Sequence, residues 1–229
     1  MSVLNLETVD LATQHLRDVN ARLQAAGEGH FRIAHPNGAH ALAVGLTSPI
    51  AVEIMGHTGY YTAGMNQAAA LTIHGNAGPG LAENMMSGTV RVTGDASQYA
   101  GATGHGGLLV IDGHASSRCG ISMKGIDIVV GGNVGHMSAF MAQAGRLVVL
   151  GDAGADFGDS LYEARLYVRG EVASLGADCI EKPLLAPHLD ELTELLSRAG
   201  FDADPLTFRR YGSARRLYNF TIDNAGAEP

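Results

Sequence analysis

The chain has 229 residues, 46% of them hydrophobic, which is enough to bury one compact core. Its formal charge of -8 argues against a nucleic-acid groove or an anionic membrane surface as partner. No apolar run reaches the length of a membrane span, and the opening MSVLNLETVD has neither the basic nor the apolar region of a secretory signal. Two distant cysteines, Cys119 and Cys179, belong to no CxxC or Cys/His pattern and fit a reducing cytoplasm.

In chain order, Asp10 reads as the N-cap of a helix to about Ala26, with Ala12, Leu16, Val19 and Leu23 on one face and Gly27 as C′. Residues 28–50 read as two short strands around the turn His35-Pro36-Asn37-Gly38. From residue 51 a repeat takes over. Gly56, Gly75, Gly94, Gly113, Gly132, Gly151 and Gly170 are spaced 19 residues apart. Four residues before each stand Val52, Leu71, Val90, Leu109, Ile128, Leu147 and Leu166; two before stand Ile54, Ile73, Val92, Ile111, Val130, Val149 and Val168. The residues between them are mixed, so each coil carries a short strand with one buried face. The residue after each glycine is polar: His57, Asn76, Asp95, His114, Asn133, Asp152 and Glu171. That pairing suggests a tight corner in which glycine supplies positive φ and the polar side chain bonds its own turn. Seven residues after each glycine only Ala or Gly occurs: Ala63, Ala82, Gly101, Gly120, Ala139, Gly158 and Ala177.

One such coil cannot bury its two aliphatics alone, but stacked coils align them in ladders. The expected fold is all-β: a right-handed parallel β-helix of about seven coils over residues 51–183. A cap is expected over 1–50 and a helix with a tail over 184–229. A leucine-rich repeat is disfavoured, because the second half of each coil is too rich in Gly, Ser and Thr for a helical return. Pro187 opens the C-terminal helix, with Leu189, Leu192 and Leu196 in a stripe and Gly200 at its end. Both flanks read as covers for the open ends of the solenoid. Beyond Gly200, Arg209, Arg210, Tyr211, Arg215, Arg216, Tyr218 and Phe220 form a basic, aromatic stretch that suggests docking on a partner rather than closure of the solenoid.

Candidate chemistry is sparse. Gly78-Pro79-Gly80 and Gly104-His105-Gly106 lack the strand, helix and downstream acid of a dinucleotide site. His57 and His114, like Asp95 and Asp152, lie three coils apart, too far to act together. A Ser/His/Asp triad stays open, though no nucleophile elbow is present. Met85, Met86 and Met123 read equally well as gap-filling core or adaptable interface, and Lys124 as a solvated or partner-facing cation.

The repeats Ile73-His74-Gly75-Asn76-Ala77-Gly78, Asn84-Met85-Met86-Ser87-Gly88, Met123-Lys124-Gly125, Gly132-Asn133-Val134-Gly135 and Gly170-Glu171-Val172-Ala173-Ser174-Leu175-Gly176-Ala177 resemble the GXGXG domain family. This is the C-terminal β-helix of the glutamate synthase large subunit, and the likeness runs over nearly the whole chain. A free-standing chain ending in Arg215-Arg216-Leu217-Tyr218-Asn219-Phe220 most resembles the β-helix subunit of bacterial N-methylglutamate synthases. The C subunits of formylmethanofuran dehydrogenase and of the related formyltransferase/hydrolase complex share the repeat and remain an alternative, as does a stand-alone structural solenoid. The resemblance implies a cytoplasmic hetero-oligomer making N-methylglutamate from glutamate and methylamine. Its other chains would be an amidotransferase-like subunit and an FMN-binding glutamate synthase-like subunit that also carries an iron–sulfur cluster. For this chain it implies a scaffold with no catalytic, cofactor-binding or metal residue. A stand-alone enzyme of the pectin-degrading kind would want Asp or His side chains clustered on adjacent coils, which the spacing does not offer.

Overall fold

The 19-residue period becomes one turn of a parallel β-solenoid. The computed structural model describes residues 6–217. Strands β3 (Ala51–Ile54), β4 (Ala70–Ile73), β5 (Thr89–Val92), β6 (Leu108–Ile111), β7 (Lys124–Val130), β8 (Ala144–Val149) and β9 (Arg165–Val168) pair in parallel with equivalent residues in register. All fourteen ladder aliphatics are at most 2% exposed. Parallel bridges from Thr58 through Ala77, Ala96, Ala115, Val134 and Ala153 to Val172 form a second stacked line just past the glycine corner.

The N-terminal region departs from the expected helix and pair of strands. Residues 6–10 form strand β1 (Leu6–Asp10), and helix α1 runs Leu16–Ala25 with His15, not Asp10, as its N-cap. The Asp10 carboxylate instead accepts from the Ala12 N–H and pairs with His35. Ala26 ends the helix in an extended conformation, so Gly27 is not a left-handed cap. Residues 28–50 contain one strand, β2 (His30–Ala34), which pairs with both β1 and β3. Beyond β2 the chain makes a further coil. Ala41 N–H donates to the Tyr60 carbonyl, Ala63 N–H to that of Leu42, and Gln67 N–H to that of Leu46. Its offset from the next coil is 21 residues at the strand and 20 beyond it, so it drops out of the 19-residue register. Helix α1 closes this end. Val19 and Leu23 are buried, and Asn20 bonds both the Ala41 carbonyl (2.7 Å) and the Ala43 N–H (2.8 Å). One amide side chain thereby satisfies backbone groups that lack a preceding coil.

The C-terminal region also departs from expectation. Helix α2 (Ala186–Ala199) does end at Gly200 in the left-handed conformation. It is not an end cap: it lies along the outside of the sheet. Leu192, Leu195, Leu196 and Ala199 pack on Leu108, Val110, Val129, Val148 and Tyr167, forming a second core. Leu195 replaces Leu189 in the buried stripe. The outward strand positions are apolar here because a helix covers them. The true end cover is the tail. Strand β11 (Arg209–Ser213) inserts antiparallel between β9 and β10 (Cys179–Lys182). Tyr211 enters the main core and meets Phe157 edge-on at 6.1 Å. The expectation that this stretch leaves the solenoid is therefore corrected for residues 209–213; Tyr218 and Phe220 lie outside the described residues.

Candidate functional site: the faces of the solenoid

The corner glycines and their polar neighbours form one device. Each polar side chain from His57 to Asp152 accepts a hydrogen bond from the backbone N–H of its counterpart one coil on. His57 Nδ1 serves Asn76, Asn76 Oδ1 serves Asp95, Asp95 serves His114, His114 serves Asn133, Asn133 serves Asp152, and Asp152 serves Glu171, at 2.7–3.0 Å. The bond goes to the next coil, not to the residue's own turn as the sequence suggested. The glycines are required for the same reason. Except at Gly56, their φ is not positive. A Cβ on Gly94, Gly113, Gly132, Gly151 or Gly170 would instead fall 2.1–2.6 Å from the acceptor atom of the preceding coil. His57 and His114 thus act as structural acceptors, and Asp95 and Asp152 do the same work in other coils.

The outer face under α2 holds the densest charge cluster. Arg146 makes a two-pronged contact with Asp127 at 2.7 and 2.6 Å, and Glu191 of α2 pairs with Arg146 and Arg165 at 3.6 and 3.3 Å. The Tyr167 hydroxyl donates to Glu191, and Arg198 reaches Asp127 at 3.7 Å. Burial, with Glu191 beside it, pushes the Tyr167 phenol up; the bond to Asp127 raises the Arg146 guanidinium further. Each group has a partner within the chain, so the cluster clamps the helix to the sheet. Arg91 completes the clamp by donating to the Ala199 carbonyl at the helix C-terminus, at 2.9 Å.

The third face is built on an unusual backbone. Five, seven and nine residues after the corner glycine, φ is positive in six successive coils, from Tyr61, Ala63 and Met65 to Asp156, Gly158 and Ser160. Alternate N–H groups then point forward and back. Gly80 and Asn84 donate to the next coil at Gln98 and Ala102, while Ala82 donates to the previous one at Thr62, all at 2.9 Å. The central residue points inward where the bore is narrow, which accounts for the Ala or Gly at that place. Its neighbours point outward, and several are large and apolar. Met65 is 43% exposed, and Tyr99 and Met141 are each 36% exposed. Met85 and Met123 are core, whereas Met86 and Lys124 face solvent, so the methionines divide between the two expected roles. Nothing in the repeat alone signalled this face; it emerges once the register says which residues point out.

Among the described residues no group of three or more His, Cys, Asp or Glu side chains could hold a metal ion. Gly78 and Gly106 of the GxG strings lie against the backbone of the preceding coil, at Gly59 and Met86. Arg209 donates to the Gly170 carbonyl at 2.7 Å, and Arg215 lies 3.5 Å from Glu163.

Protein GlxC of Rhizobium meliloti (strain 1021) is 62% identical over 227 residues, spanning 97% of this chain and 100% of its own length. The chain belongs to the GlxC family. No family model matches it. The likeness spans 97% of this chain, and so most of the solenoid and its end structures. Among the described residues no helix is long and apolar enough to cross a membrane.

Proposed function

We propose that the chain is the β-helix subunit of a cytoplasmic, heteromeric N-methylglutamate synthase. In this reading it holds an amidotransferase-like subunit and an FMN and iron–sulfur subunit at fixed separation and contributes no catalytic group. The observation that carries the reading is the run of glutamate-synthase-like repeats over residues 51–183 of a chain that belongs to the GlxC family. The physical form supports it. The bore is filled with aliphatics, the corner side chains are engaged in backbone bonds, and the outer charges hold α2 in place. Such a rod transmits position rather than chemistry.

The test is co-expression of the tagged chain with the two other subunits from the same host, followed by assay with glutamate and methylamine. N-methylglutamate should form only when all three chains are present, with flavin on the partner and none on the isolated chain. Turnover by the isolated chain, or recovery of the subunits of a formylmethanofuran-type complex instead, would overturn the proposal.

A further inference from the structure

We infer that Asn37 is a modification site: its side chain closes on the Gly38 nitrogen to a succinimide, hydrolysis leaves aspartate or isoaspartate, and the closed N-terminal coil holds the reaction back. Asn37-Gly38 is the one Asn-Gly pair in the chain. No side chain on the following residue hinders ring closure there, whereas Ala, Gln, Met or Val follows Asn20, Asn66, Asn76, Asn84 and Asn133. The reaction balances with water alone. The Gly38 amide loses its proton and its nitrogen bonds Asn37 Cγ; the Cγ–Nδ2 bond breaks, and ammonia leaves with that proton. Water then opens one carbonyl of the ring. Opening at the side-chain carbonyl gives aspartate, and opening at the main-chain carbonyl gives isoaspartate, whose backbone is longer by one methylene group.

The fold controls the reaction at the nitrogen. Pro36 is buried and Asn37 exposed, and Asn37 and Gly38 have φ +45° and +73°, the two left-handed residues of a tight turn. Ala39 N–H closes that turn by donating to the Pro36 carbonyl at 2.8 Å. Gly38 N–H donates to the His57 carbonyl of the next coil at 3.0 Å. An amide proton held in such a bond is withheld from base, as in hydrogen exchange. Asn37 therefore reacts when residues 35–39 lift from residues 57–59. These residues belong to the coil at the end of the rod, which α1 holds through the two bonds of Asn20. Terminal structure opens more readily than the coils between.

The product decides whether the coil closes again. Gly59 N–H donates to the Ala39 carbonyl at 2.8 Å, and a Cβ on Gly59 would fall 2.3 Å from the Gly38 carbonyl oxygen, so the turn sits directly on the next coil. Aspartate keeps the backbone and tolerates positive φ. Isoaspartate adds a methylene to a turn pinned by the N–H groups of Gly38, Ala39 and Gly59, and cannot keep all three bonds. The terminal coil of an aged chain stays loosened.

The full chain is aged in mildly alkaline buffer, native and in guanidinium chloride, and its asparagine peptides are followed by mass, with isoaspartate resolved by electron-transfer fragmentation. In denaturant Asn37 should convert fastest, and in the native chain at least about tenfold more slowly than in denaturant. Asn20→Ala frees α1 from Ala41 and Ala43. It should raise native Asn37 conversion and Gly38 amide exchange by one common factor, about three- to tenfold, while Tyr211→Ala at the other end changes neither. The refolded isoaspartate chain should lose exchange protection at Gly38, Ala39 and Gly59, which Asn37→Asp keeps; failure of the isoaspartate chain alone to refold also supports the inference. The inference is overturned if another asparagine leads in denaturant, or if native and denatured rates agree within about twofold. Acceleration by Tyr211→Ala as large as that by Asn20→Ala overturns it as well, since the opening would then be global. Equal protection in the isoaspartate and Asn37→Asp chains overturns the loosening.

Discussion

Replacing Gly151 by alanine tests the corner device directly. The new Cβ would lie 2.1 Å from Asn133 Oδ1 and 2.7 Å from both the carbonyl carbon and the oxygen of Gly132. A side-chain oxygen can swing away, but the two backbone atoms belong to a coil held on both sides. The coils must therefore separate locally. Two bonds lie at the point of strain: Gly151 N–H to the Gly132 carbonyl at 3.0 Å, and Asp152 N–H to Asn133 Oδ1 at 2.9 Å. Overpacking costs about 1–3 kcal/mol, and two weakened bonds about 0.5–1.5 kcal/mol each. The expected total is about 2–6 kcal/mol, a fall in Tm of roughly 5–20 °C at this chain length. Asn133→Ala alone should cost about 1 kcal/mol, because Asp152 N–H is exposed enough to find water. The double variant should cost less than the sum, since one clash is gone while the backbone contact stays. Gly27→Ala is the control: nothing lies within 4 Å of its Cβ position, and its Tm should stay near that of the wild type. The assay is thermal and denaturant unfolding of the isolated chain. An unchanged Tm for Gly151→Ala, or strict additivity with Asn133→Ala, would refute the argument that these glycines exist to admit the neighbouring coil.

Three further outcomes concern the ends and the surface. Tyr211→Ala should cost about 3–5 kcal/mol, because its ring fills the end of the core against Phe157, while Tyr211→Phe should cost under about 1 kcal/mol; equal melting of all three chains would remove β11 as the end cover. Burial pushes the Cys119 and Cys179 thiols up to about 12, so iodoacetamide at about pH 8 should label neither in the folded chain and both in denaturant, read by mass. The hydrogen bond from Arg32 holds the Glu53 carboxyl below its ordinary value of 4.5. That contribution is present above this value and is lost as pH falls through the depressed one. Arg32→Ala should cost about 0.2–1 kcal/mol near neutrality and converge with the wild type in acid, as denaturant melts at several pH values would show.

The seven coils were legible because one constraint acts at one spacing: Val90, Leu109 and Ile128 sit in equivalent walls, so the same residue type recurs. The coil of residues 30–50 was not. It has the same left-handed positions, Ala41, Ala43 and Gly45, but its longer corner breaks the period. The run Tyr61, Ala63, Met65 was opaque for a different reason. Its shape is imposed by hydrogen bonds to both neighbouring coils, which override the local reluctance of Tyr and Met to adopt positive φ. Tail and helix were misplaced because an amphipathic stripe names no partner surface. Leu192 and Leu196 could have covered an open end; Val110, Val129 and Val148 on the outside of the strands were the signal that they cover a face.

The faces of the rod differ in how fully this chain uses them. The corner edge is engaged in bonds from coil to coil, and α2 covers the sheet outside β6–β9. The N-terminal opening is plugged by α1 and the C-terminal one by β11. In each case a polar group or an apolar surface meets its complement within the chain, as Asn20 does at Ala41 and Ala43 and Glu191 does at Arg146 and Arg165. The face built on positive φ is different. Its backbone bonds are complete, yet its outward side chains include Tyr60, Met65, Met86 and Tyr99, and its half-buried carboxylate, Glu83, has no counter-charge among the described residues. In the scaffold reading proposed above, another chain would be seated on this face and cover those side chains.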